Sequence, residues 1–318
     1  MSDILLVKTS SMGDIIHNLP VVSDILARMP DANIDWVAEE SFADIPALHP
    51  GVRRVIPVAV RRWRRSLLRP DTWSQMRRFA RTLRATRYDV VLDSQGLIKS
   101  ALMTRLARGT RCGLAWDSAW EPLASLAYGR KFHVNPELHA VMRYRQLAAQ
   151  ALQYSLPARL DYGIRAPACD FPWVPDAPYA VLLHATSRAE KLWPETAWIE
   201  LAARLHEHGI AIVLPWGSLA ERERSVRLAA QMAQAVVAPP MRLGEAAALL
   251  AQAKLVVGVD TGLVHLASAV GAPVIGIYCG SDPARNGLVA DTPFANLGNV
   301  GLSPTVPEVV ATAMVLIK

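Results

Sequence analysis

Short apolar runs alternate with amphipathic stretches along almost the whole chain. The runs Ile4–Lys8, Asn33–Ala38, Arg54–Val58 and Val90–Asp93 are rich in Val, Ile and Leu. Apolar runs of that length read as buried parallel strands. Between them the apolar positions fall three and four apart, which is helix spacing. Ile15, Leu19, Val22, Ile25 and Leu26 follow it, with Pro20 predicted to kink or restart the helix. Phe42–Leu48, Asp71–Arg87 and Leu97–Leu106 read as further helices, the second with a stripe of Trp73, Met76, Phe79, Ala80 and Leu83. The alternation continues weakly to Gln153. Segment 166–178 then carries Pro167, Pro172, Pro175 and Pro178 and reads as a linker.

Beyond the linker the alternation starts again. Tyr179–His184, Ile210–Pro215, Ala235–Val237, Lys254–Val259 and Val274–Tyr278 read as strands. Helices are predicted from Pro194, over Ser218–Met232, Leu243–Ala251 and Leu263–Val270, and over Val306–Lys318. Strands alternating with helices predict parallel sheets covered on both faces. The expected fold class is α/β, with two Rossmann-like, doubly wound domains at 1–165 and 179–318 facing across a cleft. The closing helix belongs to the second domain or packs back on the first. This shape fits a two-domain glycosyltransferase and also a two-lobed binding protein.

One stretch, Lys254–Tyr278, concentrates the candidate chemistry. Thr261–Ser281 holds no charged residue and has the length of a membrane span. Gly262, His265, Gly271, Pro273 and Gly276 interrupt it, so strand, turn, helix and strand are predicted instead. Asp260-Thr261-Gly262 is the turn. The free N–H groups at the start of a helix favour an anion there, and Gly262 lets a ligand approach the backbone. The alternative for Asp260 is a helix cap. Gly13-Asp14 forms a similar turn after the first strand, where Asp14 reads either as a cap or as a general base, with His17 one turn further on the same face. Asp93-Ser94-Gln95-Gly96 is another polar turn before a helix.

Composition narrows the partners. Three cysteines without metal spacing point to a reducing compartment. Asp3, Lys8 and Asp14 break any leader-like apolar run at the N-terminus, so a cytosolic or cytosol-facing protein is expected. His206-Glu207-His208 would place its histidines on different faces of a helix with no third ligand evident, so it is not expected to be a metal site; no cofactor is expected. The net charge is +6, yet twelve arginines and one acid (Asp71) fall between Arg53 and Arg87, leaving −5 for the remainder. So one-sided a segment attracts an anionic partner: nucleic acid, an acidic membrane or a phosphorylated substrate.

VKTSSMGDIIHNLP (7–20), PVAVRRWRR (57–65), DSQGLIKSALMTRLA (93–107), EPLASLAYGRK (121–131), LLHATSRAEKLWPE (182–195), LPWGSLAERER (214–224) and VVGVDTGLVHLASAVGAP (256–273) together resemble the lipopolysaccharide heptosyltransferases. The KTSSMGD opening favours those adding the first heptose over those adding later ones. The resemblance implies a GT-B fold and inverting transfer of heptose from ADP-L-glycero-β-D-manno-heptose. The implied acceptor is the inner 3-deoxy-octulosonic acid (Kdo) of Kdo2-lipid A, and the implied location is the cytoplasmic face of the inner membrane, peripherally bound to its anionic surface. Asp14 matches the family's catalytic aspartate and Lys191 its phosphate-binding lysine. Thr186, Ser187, Thr261, Gly262 and His265 match positions that hold the diphosphate. Asp260 corresponds to a heptose contact, Glu221 to a ribose contact and Met241 to the adenine site. Arg61, Arg62, Arg64, Arg65, Arg143 and Arg145 match acceptor-side positions. Trp63 is either a lipid contact or core, and Trp120 stands where relatives can carry arginine. The alternatives are a relative adding a later heptose and a non-catalytic nucleotide-sugar-binding protein. No nucleic-acid motif accompanies the arginines, so nucleic acid is not an expected partner.

Overall fold

The computed structural model describes residues 2–318 and divides into two compact units, Met1–Arg165 and Ala166–Lys318. In the first unit, strands β1 (Asp3–Val7), β2 (Asn33–Glu39), β3 (Val52–Val58), β4 (Arg87–Asp93), β5 (Arg108–Leu114) and β6 (Arg130–Phe132) form a parallel sheet in the order β3-β2-β1-β4-β5-β6. Its helices are α1 (Met12–His17), α2 (Leu19–Arg28), α3 (Asp44–Ala47), α4 (Val60–Trp63), α5 (Pro70–Ala85), α6 (Ile98–Leu106) and α7 (Ala140–Leu152). The second unit repeats the plan with β7 (Tyr179–Leu183), β8 (Ala211–Leu214), β9 (Ala235–Val237), β10 (Leu255–Val259), β11 (Val274–Tyr278) and β12 (Phe294–Gly298), ordered β12-β11-β10-β7-β8-β9. Its helices are α8 (Glu195–Glu207), α9 (Leu219–Ala229), α10 (Leu243–Gln252), α11 (Gly262–Ala269), α12 (Pro283–Asn286) and α13 (Val306–Leu316). Each sheet reverses its strand order beside its first strand, and strand-end loops at such a switch point are where open α/β sheets bind ligands.

The packing follows from the pattern. Leu5 and Val7 of β1 join Val37, Ile56, Val91, Phe79 and Leu83 in the core under α5 and α6. Ile4 and Leu6 point the other way and are equally buried, as a strand covered on both faces requires. Pro20 restarts the helix: α1 ends at His17, Asn18 intervenes, and the proline lies in the first turn of α2, where its missing N–H costs nothing. The buried stripe of α5 is Thr72, Phe79 and Leu83, with Met76 packed beside it. Trp73 falls one position off that stripe and is exposed, its Nε1 donating to the Leu67 carbonyl at 2.9 Å. Trp63 belongs to the core. It is buried edge-on against Phe79, with ring centroids 5.9 Å apart, and donates to Gln75 at 3.0 Å. Val306, Val309 and Ala313 of α13 enter the second unit's core with Trp198 and Leu201 of α8. The closing helix therefore packs on its own unit, its apolar face already used there.

Candidate active site

The first cluster is built where β1 gives way to α1. Asp14 is the third residue of α1, and its Oδ2 accepts from the Ser11 backbone N–H at 3.0 Å and the Ser11 hydroxyl at 2.8 Å. Its other oxygen meets residues from elsewhere. The Tyr144 hydroxyl of α7 donates to Oδ1 at 2.7 Å, and Lys8 Nζ lies 3.7 Å from it. Lys8 Nζ also stands 3.8 Å from the Tyr144 ring centroid. The turn is braced from β4. Gln95 Oε1 accepts from Thr9 N at 2.8 Å and Thr9 Oγ1 at 2.7 Å, while buried Asp93 accepts from the N–H groups of Gln95 and Gly96.

These partners set the charge states. Burial pushes the Asp14 carboxyl up, but the charge of Lys8 and the hydrogen bonds from Tyr144 and Ser11 outweigh it and hold the group well below the usual carboxylate range. Burial pushes the Lys8 ammonium down, and Asp14 and Asp93 offset this only in part. The Asp14 side chain keeps 36% of its surface exposed. The result is a fixed, ionised carboxylate that keeps part of its surface open. The two readings of Asp14 merge, since it completes the first turn with one oxygen and presents the other. Lys8 and Tyr144 were not recognised as site residues from sequence. His17 is buried against His139, with ring centroids 5.5 Å apart.

The arginines separate into two groups. Arg61, Arg62, Arg65 and Arg69, with Glu39, Glu40 and Asp71, line a cavity of about 620 Å³. Arg62 is occupied: its Nε and Nη2 bind the two oxygens of Glu40 at 2.9 Å each, and its Nη1 binds Gln75 at 2.8 Å. Among the described residues no carboxylate lies within ion-pair distance of Arg61, Arg64, Arg65 or Arg69, and the Arg61 guanidinium lies over the Phe42 ring. Unpaired guanidinium groups around a cavity form an anion site.

Arg145 and Arg143 stand apart from that cavity. Arg145 is 3% exposed. Its Nε and Nη2 bind both oxygens of Asp24 at 2.7 and 3.0 Å, and Nη2 also donates to the carbonyls of Pro157 and Arg159. Arg145 thereby ties α7 to α2, with its fork filled by Asp24 and two carbonyls. Arg143 is buried, donates to the Ser118 carbonyl at 2.9 Å and lies 4.7 Å from the Trp120 ring, so Trp120 covers its planar face. Its charge acts on Lys8 and Tyr144, which places it beside the Asp14 cluster. Replacing Arg145 with lysine keeps the charge but loses the two-pronged bond, a loss of about 2 kcal/mol for a buried charged hydrogen bond. The expected outcome for Arg145→Lys is a lower thermal midpoint with the acceptor KM unchanged below the melt. A raised KM in a variant as stable as wild type would restore the acceptor role.

The second cluster gathers at the carboxyl ends of the strands of the second sheet. Thr261 precedes α11 in extended conformation, and no side chain caps that helix. Asp260 does not cap it. Its Oδ2 accepts from Lys191 Nζ and Ser281 Oγ, each at 2.6 Å, His265 Nε2 lies 3.6 Å from Oδ1, and its carbonyl accepts from Thr186 Oγ1 at 3.2 Å. Burial pushes the Asp260 carboxyl up, but the bonds from His265, Lys191 and Ser281 win and hold it well below the ordinary range. A helix start with free N–H groups beside a lysine and a threonine hydroxyl can bind a diphosphate. Ser187 is exposed on the same loop. Glu221, in the first turn of α9, accepts from Gly217 N at 2.7 Å, and half-buried Met241 precedes α10. Both follow strands of the same sheet edge. Ser281 was not read from sequence. Among the described residues no group of three His, Cys, Asp or Glu side chains is gathered as a metal site.

Comparison with known proteins shows the family. The sequence model of glycosyltransferase family 9 (heptosyltransferase) matches residues 76–310. Lipopolysaccharide heptosyltransferase 1 of Pseudomonas aeruginosa is 50% identical over 287 residues, covering 89% of this chain and 80% of the relative. The protein of the same name from Escherichia coli K12 is 46% identical over 305 residues, covering 93% and 96%. The solved structure of the E. coli heptosyltransferase WaaC with ADP-2-deoxy-2-fluoro heptose superposes with a TM-score of 0.85 at 43% identity, covering 98% of this chain and 97% of that one. The chain belongs to glycosyltransferase family 9, as a lipopolysaccharide heptosyltransferase of the first type.

Proposed function

We propose that the protein moves L-glycero-D-manno-heptose from ADP-heptose to the inner Kdo of Kdo2-lipid A in one inverting step. The acceptor hydroxyl oxygen forms its bond to the anomeric carbon as the bond from that carbon to the ADP oxygen breaks. Asp14 takes the hydroxyl proton. The leaving diphosphate gains charge, which Lys191, the hydroxyls of Thr186 and Ser187, and the N–H groups at Thr261, Gly262 and the start of α11 stabilise, with His265 beside them. Asp260 accepts from heptose hydroxyls, Glu221 from the ribose, and Met241 packs on the adenine. Arg61, Arg64 and Arg65, with Arg69, take the phosphates and carboxylates of the acceptor. Arg62 joins them by exchanging Glu40 for an acceptor anion. Arg143 acts through the Asp14 cluster, as a positioning residue.

The observation that carries this reading is the uncapped start of α11 with Lys191 and Asp260 beside it. It occurs in a chain nearly half identical to named heptosyltransferases. No helix among the described residues is long and apolar enough to cross a membrane, and the arginine segment suits peripheral attachment to the anionic cytoplasmic face of the inner membrane. Mass spectrometry of Kdo2-lipid A incubated with protein and ADP-heptose tests the whole reading, with a gain of one heptosyl group as the expected result. Transfer only to an already heptosylated core would assign a later step. Donor binding without transfer would leave a binding protein.

The donor roles separate by titration calorimetry. Lys191→Ala is expected to weaken ADP and ADP-heptose alike, by about tenfold or 1.4 kcal/mol. Asp260→Ala removes the sugar contact but also releases Lys191 from its 2.6 Å ion pair. ADP-heptose should therefore weaken about tenfold while ADP binds as well as before or better. Equal losses for both ligands in Asp260→Ala would remove the sugar role.

A further inference from the structure

Four large aliphatic side chains of the first unit stand together in solvent. Ile98 and Leu102 of α6 are 42% and 60% exposed, and Leu123 and Leu126 of the short 3-10 turn Pro122–Ala127 are 57% and 64% exposed. Ile98 and Leu102 are one helical turn apart, and Leu123 and Leu126 are one 3-10 turn apart, so each pair shares a face. Between the pairs runs a seam of small residues, Ala101 against Ala124 and Ala127, closed underneath by Tyr128. The seam holds the two elements in register. The Ile98 N–H donates to Glu121 Oε2 at 2.6 Å, and the Glu121 N–H donates to the Gly96 carbonyl at 3.0 Å. The patch is therefore a built, rigid surface with its core already filled.

The surroundings of the patch say what covers it. Lys99, next to Ile98, interacts electrostatically with Arg61 and Arg64 and with Glu39 and Glu121, Glu39 itself accepting from the Arg61 N–H at 3.0 Å. The apolar surface thus borders the arginine run, where Arg61 and Arg64 have no carboxylate partner among the described residues. Helix α6 also packs beside α5, whose exposed arginines include Arg77, Arg78, Arg81 and Arg84. The α4–α5 connection itself exposes Leu68, and the first turn of α5 exposes Trp73. Aliphatic side chains fringed by unpaired cations match the boundary between acyl chains and anionic headgroups.

We propose that Ile98, Leu102, Leu123 and Leu126 insert into an anionic bilayer while the neighbouring arginines take its headgroup phosphates. The inference rests on the proposed lipid acceptor, because it puts the acceptor's hydrocarbon against this patch and its phosphates in the arginine cavity.

Co-sedimentation tests it with vesicles of phosphatidylethanolamine and phosphatidylglycerol, against vesicles of phosphatidylcholine alone. Wild type is expected to sediment with the anionic vesicles and not with the neutral ones. The variant Leu102→Gln/Leu123→Gln/Leu126→Gln, shown folded by its thermal melt, is expected to bind the anionic vesicles at least about tenfold more weakly. Its kcat/KM on acceptor stripped of its acyl chains should stay within about twofold of wild type. Equal vesicle binding by variant and wild type overturns the proposal, as does equal binding of wild type to neutral vesicles. Sedimentation velocity that shows a wild-type dimer and a monomeric variant, with vesicle binding unchanged, would assign the patch to a second copy of the chain. Failure of the catalytic reading would look different: wild type itself would not transfer heptose to the stripped acceptor.

Discussion

Asp14→Asn is expected to lower kcat by about 10² or more, the scale of lost acid–base help, with ADP-heptose affinity unchanged. The geometry explains the size. The carboxylate spends one oxygen on Ser11 and keeps the other for Tyr144, Lys8 and a substrate proton. An asparagine has a single oxygen, so it must either lose the Ser11 bonds or turn its NH2 toward Tyr144 and Lys8. In neither case is there a base. Lys8, buried and pushed toward its neutral form, also loses its nearest counter-charge, so a lower melting temperature is expected alongside. Retention of more than about half the wild-type kcat would exclude Asp14 as base.

The same cluster fixes the sign of the pH dependence. The folded-state carboxyl of Asp14 lies below its ordinary value, so the ionised form and the stability it brings persist above the unfolded value and are lost only as pH falls through the folded one. The acid limb of kcat/KM should therefore not be set by Asp14 at any pH above about 4. Tyr144→Phe removes one hydrogen bond that favours the charged form. It is expected to raise the pH at which Asp14 takes up its proton, and with it the low-pH loss of kcat/KM that Asp14 itself sets, and to lower kcat less than Asp14→Asn does. A purely structural tyrosine would leave that low-pH loss where it was.

Much of this was legible in the chain because it depends on local order. The alternation of apolar runs and helical spacing located both units, and Pro20 marked the break between α1 and α2. Asp14, Lys191 and Asp260 sit on strand-to-helix turns, which a sequence displays directly. Strands β5, β6 and β12 were not legible. RGTRCGL and RKF are as polar as loops, and FANLG is a half-exposed edge strand with few branched residues, so only pairing in the sheet reveals them. Tyr144 lies 130 positions from Asp14, and Ser281 lies 21 from Asp260, distances no local pattern bridges. Lys8 looks like the solvated end of a strand until Asp14, Asp93 and the Tyr144 ring close round it. Arg145 shows the converse: a motif match suggested a ligand contact, and the structure fills its guanidinium with Asp24 and two carbonyls.

Removing the unpaired arginines of the cavity, Arg61→Gln/Arg65→Gln/Arg69→Gln, is expected to raise the acceptor KM so far that kcat/KM falls by about 10² or more. A charged hydrogen bond contributes about 1.5–3 kcal/mol when well made, and exposure and salt reduce each of these toward the lower end or below. Three acting on one multiply charged lipid still reach about 3 kcal/mol together, which is the stated factor. Arg62 is left in place on purpose. Its bonds to Glu40 and Gln75 tie α4 to the end of β2 and to α5, so its replacement would mix lost structure with lost charge. The three chosen residues have no carboxylate partner among the described residues to strand, so glutamine removes the charge and keeps a polar side chain at little cost in stability. With fewer cations at the cavity, kcat/KM should also depend less steeply on salt. The donor residues belong to the other unit, so ADP-heptose affinity should stay within about twofold, or 0.4 kcal/mol. An unchanged acceptor KM at low salt in the folded variant would remove the arginines from acceptor binding. A donor affinity that fell as far as the acceptor's would mean that they serve the fold or the donor instead.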